Sequence, residues 1–235
     1  MFFSVVIPIY PPHFKFLKNI LHNIIDSKNF TELVGEIIIA CSEVNDSELF
    51  KSNIISHNKI IISNVNTKCN ASMNRNRGWS IANGKYITFM DADDSYHLNR
   101  FQIIYDILKE YNCDSVIHNY EYRNLNISDI KYNKFNIIDS KTIYEKTFPD
   151  HKFINFDKNF YKNNTGLTYL KPCLPYKIAH GHSIIKNKII YKYNEEFIQG
   201  EDGLILREIL FNNKNSGVIY CDVALSNLGI LYKKS

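Results

Sequence analysis

Short uninterrupted apolar runs alternate, over the first half of the chain, with stretches whose apolar residues fall three and four apart. The first pattern predicts strands buried on both faces, the second amphipathic helices. FFSVVIPIY (Phe2 to Tyr10), rich in β-branched residues, predicts a first strand, closed by Pro8 and then Pro11–Pro12. Phe14, Leu17, Ile20, Leu21, Ile24 and Ile25 follow at helical spacing and predict a helix from His13 to Ser27. After Gly35, EIIIAC (Glu36 to Cys41) predicts a second buried strand. A short helix follows around Glu48 to Ile55, and KIIISN (Lys59 to Asn64) predicts a third strand. The helix from Ala71 to Ala82 ends on Asn83–Gly84, a C-cap pair, and YITFM (Tyr86 to Met90) predicts the fourth strand. Strands alternating with helices at short intervals argue for βαβ units and a parallel sheet.

Further on, Leu98 to Tyr111 reads as a helix with Phe101, Ile104, Tyr105 and Leu108 on its apolar side. SVIHNYEY (Ser115 to Tyr122) alternates, which suggests a half-exposed and antiparallel strand. From Arg123 to Lys171 the periods break down into polar, aromatic-studded sequence suited to acceptor-side loops. Order returns at AHGHSIIKNKII (Ala179 to Ile190), at the GEDG run before an apolar helix, and at GVIYCDVAL (Gly217 to Leu225), a final strand. We divide the chain into residues 1–122 and 123–235, two halves of one domain.

The fourth strand stops on Asp91, Asp93 and Asp94. Acids at the carboxyl end of a buried parallel strand lie where open α/β sheets bind ligands. Left alone they repel one another, and a divalent cation relieves the repulsion. Ions such as Mg²⁺ are held by one or two carboxylates with substrate phosphates completing the shell. A metal–diphosphate site is the working hypothesis, against a plain solvated turn. A calcium loop starting at Asp91 fails, because its sixth position is Tyr96 and its twelfth Gln102 instead of Gly and Glu.

Composition narrows the choices. With 235 residues, 45% hydrophobic and 22% charged, the chain is long enough for one sizeable core. A formal net charge of +4 is too small to argue for a nucleic-acid partner. The 5 cysteines are scattered without a C-x-x-C, which argues for a reducing compartment and against a zinc site or disulfide framework. No run approaches the length of a membrane span, so we expect a cytoplasmic protein with at most peripheral membrane contact. No G-x-G-x-x-G or G-x-x-x-x-G-K-[ST] occurs, which disfavours dinucleotide and P-loop enzymes.

Together SVVIPIY, RNRGWSIANGKYITFMDADD (Arg75 to Asp94) and GEDG with Arg207 five residues past Asp202 resemble the family 2 glycosyltransferases of the GT-A fold. That resemblance implies an α/β fold with a mostly parallel sheet and helices on both faces. It implies inverting transfer from a nucleotide-sugar to a glycan or lipid-linked acceptor, with Mn²⁺ or Mg²⁺. Asp91 would bind the donor ribose with Ala92 beside it, and Asp93 the metal. Asp94 would support the pair or cap the next helix. Pro8, Ile9 and Tyr10 would line the base pocket, with Asn70, Arg75 and Asn76 also on the donor; Arg75 either pairs with phosphate or buttresses the acids. Many members carry a base-reading Asp pair after the second strand. This chain has Cys41–Ser42–Glu43 there, so Ser42 or Glu43 substitutes; the base is left open, with uridine favoured because it is common in the family. Asp202 is the candidate base, supported by Glu201 and Arg207. His182, with His180, is a metal ligand, a diphosphate contact or a core histidine.

Three other functions compete. A phosphatase with an Asp nucleophile needs its D-x-D after the first strand, not the fourth. A sugar nucleotidyltransferase needs a Gly-rich basic loop after the first strand, where this chain has PPHFK. A non-catalytic module that binds glycans or nucleotide-sugars would not need Asp91, Asp93 and Asp202 together.

Overall fold

Every residue of β1 (Phe3–Ile9) is buried, and the strand is hydrogen-bonded in parallel on both sides. Its neighbours are β2 (Val34–Ser42) and β4 (Tyr86–Phe89). Such a strand has no solvated face, which is why its sequence lacks polar alternation. The computed structural model describes residues 1–44, 48–122, 137–139, 142, 183–187, 191–196, 201–212 and 218–228.

In chain order β1 is followed by a 3₁₀ turn (Pro11–Phe16), α1 (Leu17–Ile25), α2 (Phe30–Leu33), β2, α3 (Glu48–Asn53), β3 (Ile60–Val65), α4 (Ala71–Ser80) and β4. Next come β5 (Ser95–Tyr96), α5 (Arg100–Tyr111), β6 (Ser115–Tyr122) and β7 (Ile137–Asp139). After these lie β8 (Ser183–Lys186), α6 (Glu201–Asn212) and β9 (Val218–Leu228). The strand order is β3-β2-β1-β4-β8-β6-β9-β5, with β7 also on β9. The first four strands are parallel. β8 runs antiparallel to both β4 and β6, while β6 is parallel to β9. Strands from both halves of the chain therefore share one sheet.

Alternate residues of the strands feed two cores, one per face. Val5, Ile7 and Ile9 join Leu17, Leu21 and Phe101 on the side of α1 and α5. Val6, Ile38 and Phe89 join Ile205 and Ile209 of α6, with Trp79 of α4 packed against them. Because β1, β2 and β4 are parallel, Tyr10, Glu43 and Asp91 all emerge at one sheet edge.

The opposite end is closed by polar groups. The buried Glu36 carboxylate accepts from Ser4 Oγ (2.5 Å), the Asn83 backbone N–H (2.6 Å) and Asn83 Nδ2 (3.4 Å). Ser4 Oγ in turn accepts from the Gly84 N–H at 2.7 Å. A Cβ on Gly84 would lie 2.5 Å from the Ser4 nitrogen, so glycine is required there by close approach. It is not the helix cap the sequence suggests, because α4 already ends at Ser80.

Other boundaries also differ. The first predicted helix opens as a 3₁₀ turn on Pro11–Pro12, which supply no N–H to an α ladder. α5 starts at Arg100, not Leu98, because β5 takes the chain first. Ser115–Tyr122 is antiparallel on one side only. Among the described residues no helix is long and apolar enough to cross a membrane.

Candidate active site

β4 hands the chain to the acids with the Met90 N–H donating to Val6 O at 3.0 Å. The Asp94 N–H then donates to Asp91 O (3.2 Å), closing a tight turn over Asp91, Ala92, Asp93 and Asp94. Ala92 is buried, and the three acids are half-buried. Burial, and then Asp91, push the Asp93 carboxyl above its ordinary range, while His13 pulls it down. The Asp91 N–H donates to the Tyr96 hydroxyl at 3.0 Å. Burial, then Asp94 and Asp91, push that phenol well above its usual value. Asp94 does not cap the next helix, whose N-cap position is Asn99.

Beneath this turn lies Arg100, fully buried, its guanidinium 5.0 Å from the Tyr96 ring centroid. It donates from Nε to His118 Nε2 (2.9 Å) and from Nη2 to Thr88 Oγ1 (2.7 Å). His118 therefore accepts at Nε2 and donates from Nδ1 to Asn119 O (2.8 Å), the neutral tautomer. Burial lowers Arg100 to about 10, with Tyr96 acting against it. Nothing in the local pattern points to this support, because Arg100 is a charged residue outside the apolar side of the predicted Leu98–Tyr111 helix.

Arg75 joins the two acidic motifs. Its Nη2 donates to Asp91 Oδ1 at 3.1 Å, and its Nη1 donates to Glu201 Oε1 at 2.8 Å. The guanidinium lies 5.2 Å from the Tyr193 ring centroid. Burial works against the Arg75 charge, but Asp91, Tyr193 and Glu201 outweigh it and raise its pKa further. Glu201 is buried beside it; burial raises its carboxyl above the ordinary range, Arg75 lowers it, and Asp202 raises it again. Asp202, the next residue in the first turn of α6, is half-buried. The contacts Arg75 makes in this structure are to the acids, Asp91 and Glu201.

Two further residues expected on the donor are occupied elsewhere. Asn70 caps α4 by accepting from the Met73 N–H (2.9 Å) and donates from Nδ2 to Glu195 O (2.7 Å). Asn76 exchanges two bonds with the Tyr193 backbone, both at 2.9 Å, and donates to Glu195 Oε1 at 2.9 Å. Asn70, Arg75 and Asn76 thus clasp residues 191–196 onto α4. Tyr193, which the sequence did not single out, is buried against Phe89 (centroids 5.1 Å apart) and Trp79 (6.5 Å).

At the other strand ends, Pro8 and Ile9 are buried, and Tyr10 is 42% exposed with its ring 4.5 Å from that of His13. Ser42 is fully buried at the end of β2, and its Oγ accepts from Asn74 Nδ2 of α4 at 3.4 Å. Glu43 is half-buried with a left-handed backbone (φ 55°), an uncommon conformation for a non-glycine residue. His180 and His182 lie outside the described residues, and of Arg207 only the backbone, inside α6, is described.

Among the described residues no cluster of three His, Cys, Asp or Glu side chains is assembled for a metal. Asp93 still fits Mg²⁺ or Mn²⁺. It offers hard oxygen donors beside a second carboxylate, and burial together with Asp91 pushes its proton affinity up. A cavity of about 550 Å³ lies elsewhere, between α3 and β3, lined by Val44, Phe50, Ile54, Ile62 and Asn64. None of the acids borders it.

Residues 4–176 match the model of glycosyl transferase family 2, and the chain belongs to that family. Glycosyltransferase GlyG of Streptococcus pneumoniae serotype 4 (strain ATCC BAA-334 / TIGR4) is 29% identical over 117 residues, 50% of this chain and 38% of GlyG. The crystal structure of S. aureus TarS 1–349 superposes with a TM-score of 0.61 at 14% identity, over 97% of this chain and 60% of that one. The same TarS segment in complex with UDP-GlcNAc gives 0.60 at 14% identity, over 100% and 62%. The chain spans less than two thirds of the length of each of these relatives. At such identities the structural matches establish the α/β fold of the GT-A class.

Proposed function

We propose that the chain is an inverting, metal-dependent glycosyltransferase that moves a sugar from a UDP-sugar to a hydroxyl of a glycan or lipid-linked acceptor. The observation that carries this reading is the Arg75 bridge. It brings Asp91, at the end of the central strand, and Glu201–Asp202, at the start of α6, to one sheet edge. Family membership supports transfer chemistry, and the UDP-GlcNAc complex of TarS supports the choice of donor class.

In this reading the exposed ring of Tyr10 stacks on the base, and Asp91 accepts from the ribose hydroxyls. Ser42 or Glu43 reads the base edge. Asp93 would hold Mn²⁺ or Mg²⁺, which supplies neutralising charge for the diphosphate when bound. Glu201 Oε1 is held by Arg75 and supports its neighbour, and Asp202 is the base in this reading. As general base it removes the acceptor hydroxyl proton while that oxygen bonds to the anomeric carbon and the bond from that carbon to the diphosphate breaks. One displacement inverts the anomeric centre without a covalent sugar–enzyme intermediate.

The test is UDP release from UDP-GlcNAc with Mn²⁺ present, alongside UDP binding by calorimetry. Asp202→Asn keeps UDP binding and loses turnover by about 100-fold or more. Near-normal turnover in that variant removes the base assignment, and a wild-type chain that does not bind UDP removes the donor.

A further inference from the structure

We propose that Arg75 is a positioning residue for the reaction: by spanning Asp91 and Glu201 it fixes where Asp202 stands relative to the bound donor. This rests on the transferase reading above. The two carboxylates belong to elements far apart in sequence, the end of β4 and the first turn of α6, and Arg75 on α4 bonds both. Its side chain is only 6% exposed and that of Glu201 11%, while Asp91, at 32%, keeps one side to solvent. The contacts use different guanidinium nitrogens, Nη1 for Glu201 and Nη2 for Asp91. A planar fork holds that separation rigidly, which a single ammonium point charge does not.

The platform under the fork is held from the same helix. Tyr193 packs below the guanidinium while its backbone is pinned by Asn76, and Asn70 pins Glu195. Glu201 is one residue from Asp202, so releasing its carboxylate frees the helix turn that carries the base. A misplacement of about 1 Å at a reacting group costs about 100-fold in rate. Loss of Arg75 is therefore expected in kcat more than in donor binding, and through Glu201.

The experiment compares Arg75→Met, Arg75→Lys, Glu201→Gln and the Arg75→Met/Glu201→Gln double variant. Three quantities are read: UDP binding with Mn²⁺, kcat and KM for UDP-GlcNAc hydrolysis, and hydrogen exchange of residues 201–212. We expect UDP affinity within about tenfold of wild type, kcat lowered about 100-fold in both Arg75 variants, and no rescue by Lys. The double variant is expected to be no slower than the slower single, because both act through one contact. Exchange at the start of α6 rises in both Arg75 variants. Wild-type kcat in Arg75→Lys, or effects that multiply in the double variant, overturn the proposal. If Arg75→Met does not fold, Arg75→Lys carries the comparison. If the wild-type chain shows no UDP binding or turnover, the transferase reading is what fails. The exchange measurement needs no substrate: unchanged protection at 201–212 in Arg75→Lys then overturns the positioning role by itself.

Discussion

Gly78 sits in the last turn of α4 at the point where that helix touches the sheet. A Cβ there would lie 2.4 Å from Val6 Cγ1 and 3.2 Å from Ala40 Cβ. Two effects oppose one another in Gly78→Ala. Alanine in a helix interior is worth about 1 kcal/mol over glycine. Against it, an extra methyl in a filled core costs about 1–3 kcal/mol. The contact decides which wins. Val6 is fully buried in one cluster with Ile38, Ile87 and Phe89, and its β-branched side chain is stiff about χ1, so it yields little. The helix must lift instead. Steric cost exceeds the propensity gain by about 1 kcal/mol, which lowers Tm by about 2–4 °C in a chain of this size. Because Asn70, Arg75 and Asn76 ride on the same helix, UDP-GlcNAc turnover should fall as well. Calorimetric scans of Gly78→Ala beside Ser80→Ala, an exposed position on the same helix, give the comparison. A Gly78→Ala protein as stable as wild type or more so refutes the close-packing argument.

Tyr10→Ala should weaken UDP binding by calorimetry by about 1–3 kcal/mol, the range measured for stacking a base on an aromatic ring, while Tyr10→Phe stays near wild type. Equal affinities for all three proteins would remove Tyr10 from the base pocket. Glu201 bears on pH dependence: its carboxyl is raised in the fold, so the native state holds a proton that the unfolded chain has already released. Its contribution to stability accordingly falls as pH rises from the ordinary Glu range through that raised value. Glu201→Gln should flatten the fall in Tm across that window, and a slope identical to wild type would contradict it.

The frame was legible because β1, β2 and β4 are buried on both faces, and an apolar run with no alternation permits little else. The short elements β5, β7 and α2 were not, having neither a period to repeat nor an uninterrupted apolar run. Mixed pairing was equally hidden, since β6 lies between an antiparallel and a parallel neighbour and only the partner strands decide that. The acids announced themselves by ending a buried strand. The bonds that organise them did not, because Arg75 and Glu201 are separated by 126 residues. One signal did exist. The face that α4 buries consists of Ser72, Asn74, Arg75 and Gly78. A helix between two buried strands with polar residues on its inner side must satisfy them against something, and here the partners are Ile9, Ser42, Asp91 and Glu201. Ser42 shows a related ambiguity: a hydroxyl at a strand end suits a ligand or a neighbouring helix equally well.

The Glu36 knot gives the molecule a working end and a fastened end. Changes near Ser4, Asn83 or Gly84 would alter how long the protein survives without altering what it handles. Loops leaving the far rim, beyond Tyr10, Glu43 and Asp91, are free to diverge without loosening that fastening, so new substrates can be tried on an unchanged chassis.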